Sequence, residues 1–117
     1  MAGKELTEDH KDKLDRLEEV LIEFADRDQR MDLPMLRVLT AVCRHDGVGL
    51  HELSSHLGYP LSVVSRHALD MGAEPTLMRG QPPLGLMEFT GSTTTGRRIT
   101  LTPKGVEFRD RLLALMC

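Results

Sequence analysis

The sequence is nearly empty of aromatic residues: among 117 positions there is no Trp, one Tyr and three Phe. A core arranged around large rings is excluded, and Leu, Val, Met and Ile must supply the buried volume. Hydrophobic residues make up 40% of the chain, enough for one ordinary domain without metal or crosslinks. Cysteine is scarce as well. Cys43 and Cys117 form no spaced framework, which excludes a disulfide scaffold and points to a reducing, intracellular setting. No stretch approaches the roughly 20 apolar residues that cross a bilayer. The opening MAGKELTEDHKDK is polar and mixed in charge, unlike a secretory signal. These absences lead us to expect a soluble, cytoplasmic protein with no membrane partner.

Positive charge is in short supply too, with a net charge of −3. The total hides a division. Residues 1–32 carry 6 Lys/Arg against 11 Asp/Glu, a balance of −5, whereas residues 33–117 carry 9 against 7, a balance of +2. The acidic excess belongs to an N-terminal arm, and local patches decide whether a surface meets phosphate. The total therefore excludes little.

What is present is a clear order of helical stripes. Thr7 followed by Glu8 and Asp9 predicts a helix start, a capping hydroxyl with acids at the positive end of the dipole. Leu14, Leu17, Leu21 and Phe24 then mark one apolar face. Such a stripe must pack on the rest of the chain or on a second subunit. Asp32 and Pro34 open a second helix, with Met35, Leu36, Leu39, Val42 and Cys43 as its buried side and His45-Asp46-Gly47 as its end. Leu50, Leu53 and Leu57 mark a short third helix stopped by Gly58. Pro60 starts a fourth, with Val64, Ala68 and Met71 inward and Gly72 as an expected left-handed cap. Pro75, Gly80 and Pro82-Pro83 make 73–83 a connector. The β-prone runs LGLMEF (84–89) and RRITL (97–101) flank TGSTTTG and predict a hairpin with a Gly- and Thr-rich tip. Thr102-Pro103 starts a last helix, whose broad face includes Val106, Phe108, Leu112, Leu113, Leu115 and Met116.

A short helix, a turn with Gly, a second short helix and a two-stranded hairpin describe a winged helix-turn-helix. The fold class expected is mainly α with a small β-hairpin wing. On the fourth helix Ser62, Ser65, Arg66 and Leu69 project away from Val64, Ala68 and Met71. Small hydroxyls permit close approach to a DNA groove, and an Arg can take a guanine bidentately. With Leu61 at the helix start, these residues form the first candidate DNA-binding set. The second is Arg97 and Arg98 beside the tip, with Lys104 at the start of the last helix. Between Pro60 and Lys104 five cations (Arg66, Arg79, Arg97, Arg98, Lys104) face three acids (Asp70, Glu74, Glu88). Such cations hold phosphate or enter the minor groove, with salt-dependent affinity. The plainer readings are an ordinary solvated helix face, and a hairpin edge charged against aggregation.

The run LHELSSHLGYPLSVVSRHALDMG, then LGLMEF, and above all RRITLTPKGVEF resemble the MarR family of dimeric transcription regulators. The likeness covers residues 35–116, and the apolar N-terminal helix fits the family's interleaved terminal helices. It implies a dimerisation arm at 1–32, a DNA-binding domain at 33–104 and a C-terminal dimerisation helix at 105–117. The seam would take Leu14, Leu17, Leu21 and Phe24 from one end and Leu112, Leu115 and Met116 from the other. It also implies a repressor that binds a pseudo-palindromic double-stranded DNA site as a homodimer. A small-molecule effector is implied as well, though no residue set here marks a pocket. One departure is visible: many MarR wings carry an Asp two residues before the tip Arg, where this chain has Thr93-Thr94-Thr95-Gly96.

Other chemistry finds no support. His45, His51, His56 and Cys43 do not have metal-ligand spacing, and GSTTTGRR lacks the Lys-Ser/Thr of a phosphate loop. Cys43 lies on an apolar stripe and reads as a buried inert thiol. No catalytic arrangement appears, so neither an enzyme nor a cofactor is expected. The competing readings are a winged-helix module that binds another protein and an accessory protein of plasmid or viral replication.

Overall fold

The computed structural model describes residues 6–27, 31–72, 84–92 and 96–116. Three of the five helices among the described residues start where a side chain satisfies a free N–H of the first turn, whereas the two that follow Gly49 and Pro60 start without a side-chain cap. For α1 (Glu8–Arg27), Thr7 Oγ1 accepts the backbone N–H of His10 at 3.1 Å, and His10 Nδ1 accepts that of Thr7 at 3.3 Å. The histidine thus takes the reciprocal place of a capping box. For α2 (Leu33–Arg44), the Asp32 carboxylate accepts from Met35 N at 3.0 Å, with Pro34 in the first turn. α3 (Leu50–Leu57) stops at Gly58, whose φ of 74° suits glycine and whose N–H returns to Ser54 O. α4 (Leu61–Asp70) follows Pro60, which closes the tight turn between the two helices. For α5 (Pro103–Met116), Thr102 Oγ1 accepts from Gly105 N at 3.1 Å and donates to Gly85 O.

Gly72 is not a left-handed cap. α4 ends on Met71 at φ −95°, and the positive-φ glycines among the described residues are Gly47, Gly58, Gly85, Gly91 and Gly96. Gly72 instead pairs with Met87 in an isolated parallel bridge, and a Cβ there would lie 3.2 Å from the carbonyl oxygens of Ala68 and Leu69. Its use is close approach, because the chain must leave the helix end and return beside it.

The wing gains a strand that the sequence pattern does not announce. β1 (Val48–Gly49) pairs antiparallel with β3 (Gly96–Leu101) through Val48↔Ile99 and Gly49↔Arg98. β3 pairs on its other side with β2 (Met87–Ser92), from Met87↔Leu101 to Ser92↔Gly96, so the order is β1-β3-β2. Both hairpin strands run further toward the tip than 84–89 and 97–101. Thr93 to Thr95 lie outside the described residues, as does the 73–83 connector with Arg79 and Glu74. Asp46 ties this sheet to the helices: its Oδ1 accepts from Leu101 N at 2.8 Å, while Gly47 N donates to Ile99 O at 3.0 Å.

Leu39, Leu53, Met71, Leu86, Met87, Ile99 and Phe108 are fully buried, an aliphatic core with one ring at its centre. On α2 the buried set is Met35, Val38, Leu39 and Val42, while Leu36 and Cys43 lie at its half-buried margin. α1 touches this core only at its C-terminal part. Val20 and Phe24 are buried, Phe24 meets Phe108 edge-on at 5.5 Å, and Glu23 pairs with Arg111 at 3.2 Å. The rest of α1 projects. The molecule measures 55 × 29 × 26 Å with a radius of gyration of 16.1 Å, against about 13 Å for a compact chain of this length.

Candidate nucleic-acid interface

α4 is amphipathic in the way a groove-reading helix must be. Val64 and Ala68 are buried along one side, and Met71 continues that side past the helix end. Ser62 and Arg66 are exposed, Leu69 is 44% exposed, and Ser65 and Leu61 are half-buried at the margins. The expected five residues therefore share one accessible surface, with Leu61 as its packed shoulder.

The turn before α4 is held by two side chains, Ser54 and Arg37. Ser54 Oγ donates to Tyr59 O at 2.7 Å, and Arg37 Nη1 donates to Tyr59 Oη at 2.9 Å. The same guanidinium lies 5.0 Å from the Tyr59 ring centroid. The only tyrosine of the chain thus fixes the angle at which α4 leaves α3, a role that composition could not reveal. Phe89 is the other residue that sequence reasoning passed over: it carries Arg97 on its ring, 5.0 Å from the centroid.

The wing arginines point to opposite faces of β3, as alternation along a strand requires. Both are exposed. Arg98 Nη1 donates to Gly47 O at 3.0 Å, so this cation is latched to the β1 turn. A cleft lined by Gly49, Leu50, His51, Glu52, Gly96, Arg97 and Arg98 separates the wing from the start of α3. Lys104 stands apart from that group. It belongs to the first turn of α5 at the root of the wing, where its stem passes beside Gly85.

Of the residues expected at a subunit seam, Phe24 and Leu112 are buried in this chain's own core. A helix stripe is read from spacing alone, and spacing does not say which stretch meets its own domain. Leu14, Leu17 and Leu21 remain about half exposed, at 52%, 53% and 50%, and Ile22 joins them at 49%. Met116 is exposed and Leu115 half-buried at the end of α5.

Burial pushes the Cys43 thiol up to about 11, against a smaller opposing pull from Arg109. Such a thiol is protonated and a poor nucleophile at neutral pH. Among the described residues no group of His, Cys, Asp or Glu is arranged to hold a metal ion, and no helix is long and apolar enough to cross a membrane.

No protein-family model matches the sequence, and no curated protein does. Solved structures do match the fold. One is the PcaV transcriptional regulator from Streptomyces coelicolor, solved with its natural ligand, at TM-score 0.54 and 18% identity over 99% of this chain and 78% of that one. Another is MepR, a transcription regulator of the Staphylococcus aureus multidrug efflux pump MepA, at TM-score 0.55 and 15% identity over 95% and 77%. The helix order, the three-stranded wing and these neighbours together give the chain the winged-helix fold of the MarR-type regulators.

Proposed function

We propose that this chain is a DNA-binding transcription regulator that reads a pseudo-palindromic duplex as a homodimer, most simply as a cytoplasmic repressor. The observation that carries the reading is the accessible face of α4, where Ser62, Ser65, Arg66 and Leu69 lie together beside a wing that carries Arg97 and Arg98. In a duplex complex α4 would enter the major groove, with Arg66 reaching a guanine edge and the two serines close to bases or phosphate. Arg97, Arg98 and Lys104 would engage the backbone and minor groove. Residues 33–104 then form the reading unit, and residues 1–32 and 105–117 form the seam. The PcaV neighbour was solved with its natural ligand, which supports effector control as a companion proposal.

Selection from a random duplex library at two salt concentrations tests this. An enriched inverted repeat, held less tightly at the higher salt, is the expected result. A protein-binding role is the competing reading, favoured by the −5 balance of residues 1–32. Failure to retain any duplex at low salt would overturn the first reading and favour this one.

A further inference from the structure

Arg97 and Phe89 share one face of the wing. In the β2–β3 register Phe89 stands opposite Ile99 and Arg97 opposite Gly91, which makes the two side chains diagonal neighbours. Gly91 leaves open the space directly across from Arg97. It cannot be filled by a larger residue, because a Cβ at Gly91 would lie 2.5 Å from the carbonyl oxygen of Gly96. The guanidinium lies 5.0 Å from the centroid of the Phe89 ring. Phe89 is half-buried and packed against the core, so the ring is fixed and the arginine is what it holds. Stacking engages the flat face of a guanidinium and leaves its in-plane N–H donors for an oxygen partner. Arg98, on the opposite face, commits Nη1 to Gly47 O.

We propose that Phe89 is a positioning residue for duplex binding: its ring holds Arg97 in advance, so that the wing offers one ordered cation to the nucleic acid. The proposal rests on the DNA-binding reading above. Without the ring, Arg97 keeps its charge but must be ordered when the complex forms, which opposes binding.

The test is a double-mutant cycle on Phe89→Leu and Arg97→Ala, with Phe89→Tyr as the variant that restores a π face. The probe is a mixed-sequence duplex of about 30 base pairs, long enough for two half-sites one helical turn apart, titrated at low and moderate salt. Phe89→Leu is expected to weaken binding roughly two- to fivefold, the equivalent of one exposed cation–π contact. The loss should vanish in the Arg97→Ala background, and Phe89→Tyr should bind as the parent does. Thermal melting of each variant separates this coupling from lost stability. Equal losses in both backgrounds, or no loss at all, would overturn the positioning role while leaving DNA binding in place. A parent protein that does not retain the duplex at low salt would overturn both.

Discussion

Arg66 is the side chain on which sequence reading by this protein would depend. It stands exposed in the middle of α4, flanked by Ser62 one turn before and Leu69 nearly one turn after. A bidentate contact to a base is worth about 1–3 kcal/mol of discrimination. Arg66→Ala should therefore weaken binding to a selected site by that amount and flatten preference at one base pair, as competition titrations with single-base variants would reveal. Wild-type affinity in that variant would remove α4's outer face from the interface. Cys43 makes a contrary statement about reactivity. Its thiol value rises from the ordinary 9.0 to about 11 because the group is buried, so the unfolded thiol ionises first. Below about pH 9 both states keep the proton and stability is unaffected. Between about pH 9 and 11 the unfolded chain releases a proton that the folded chain retains, and stability falls as pH rises. Denaturant melts at about pH 8 and 10.5 should show that fall, and Cys43→Ala should reduce it.

At the scale of elements, two small sites where the wing joins the helices can be tested one at a time. Gly105 lies where α5 crosses the 84–86 segment, and a Cβ there would sit 2.0 Å from Leu86 O. An alanine gains up to about 1 kcal/mol of helix propensity but forces a helix off a backbone that cannot yield, at about 1–3 kcal/mol or more. The clash should win, and Gly105→Ala should lower the melting temperature. Asp46 is the second site. Its removal leaves Leu101 N, half-buried in β3, without its acceptor, and Asp46→Ala should cost about 1–3 kcal/mol by urea denaturation. The helices and the hairpin were legible in the sequence because their information is local: caps at Thr7, Asp32 and Thr102, breaks at Gly58 and Pro60, stripes at regular spacing. β1 was not legible, since two residues acquire strand identity only from Ile99 and Arg98, about fifty positions later. The wing residues were found by their charge. Their supports, Gly47 O for Arg98 and the Phe89 ring for Arg97, were hidden because a carbonyl has no letter and a phenylalanine reads as core.

At the scale of the molecule, the projecting α1 carries the apolar face that the proposed second copy would cover. Leu14, Leu17, Leu21 and Ile22 are about half exposed on a helix whose buried apolar anchors among the described residues are Val20 and Phe24, joined by the Glu23–Arg111 pair. Burial of a full leucine side chain contributes about 1.5–3 kcal/mol, and about half of each of these side chains remains to be covered by the proposed second copy. Leu17→Glu and Leu21→Glu together should shift sedimentation toward the monomer and weaken duplex binding. A wild-type chain that sediments as a monomer at micromolar concentration would refute the seam. The strand order also has a kinetic side. β3 occupies the centre of the sheet, yet it is the last strand in the chain, and both β1 and β2 take their ladder bonds from it. During synthesis the first two strands therefore wait, unpaired, until residues 96–101 emerge. The hairpin closes over a short loop, but the β1 register requires residues about fifty apart to meet, a slow encounter for a chain that already has its helices. Assembly of the wing is thus the step at which a newborn copy is most open to pairing with a wrong neighbour.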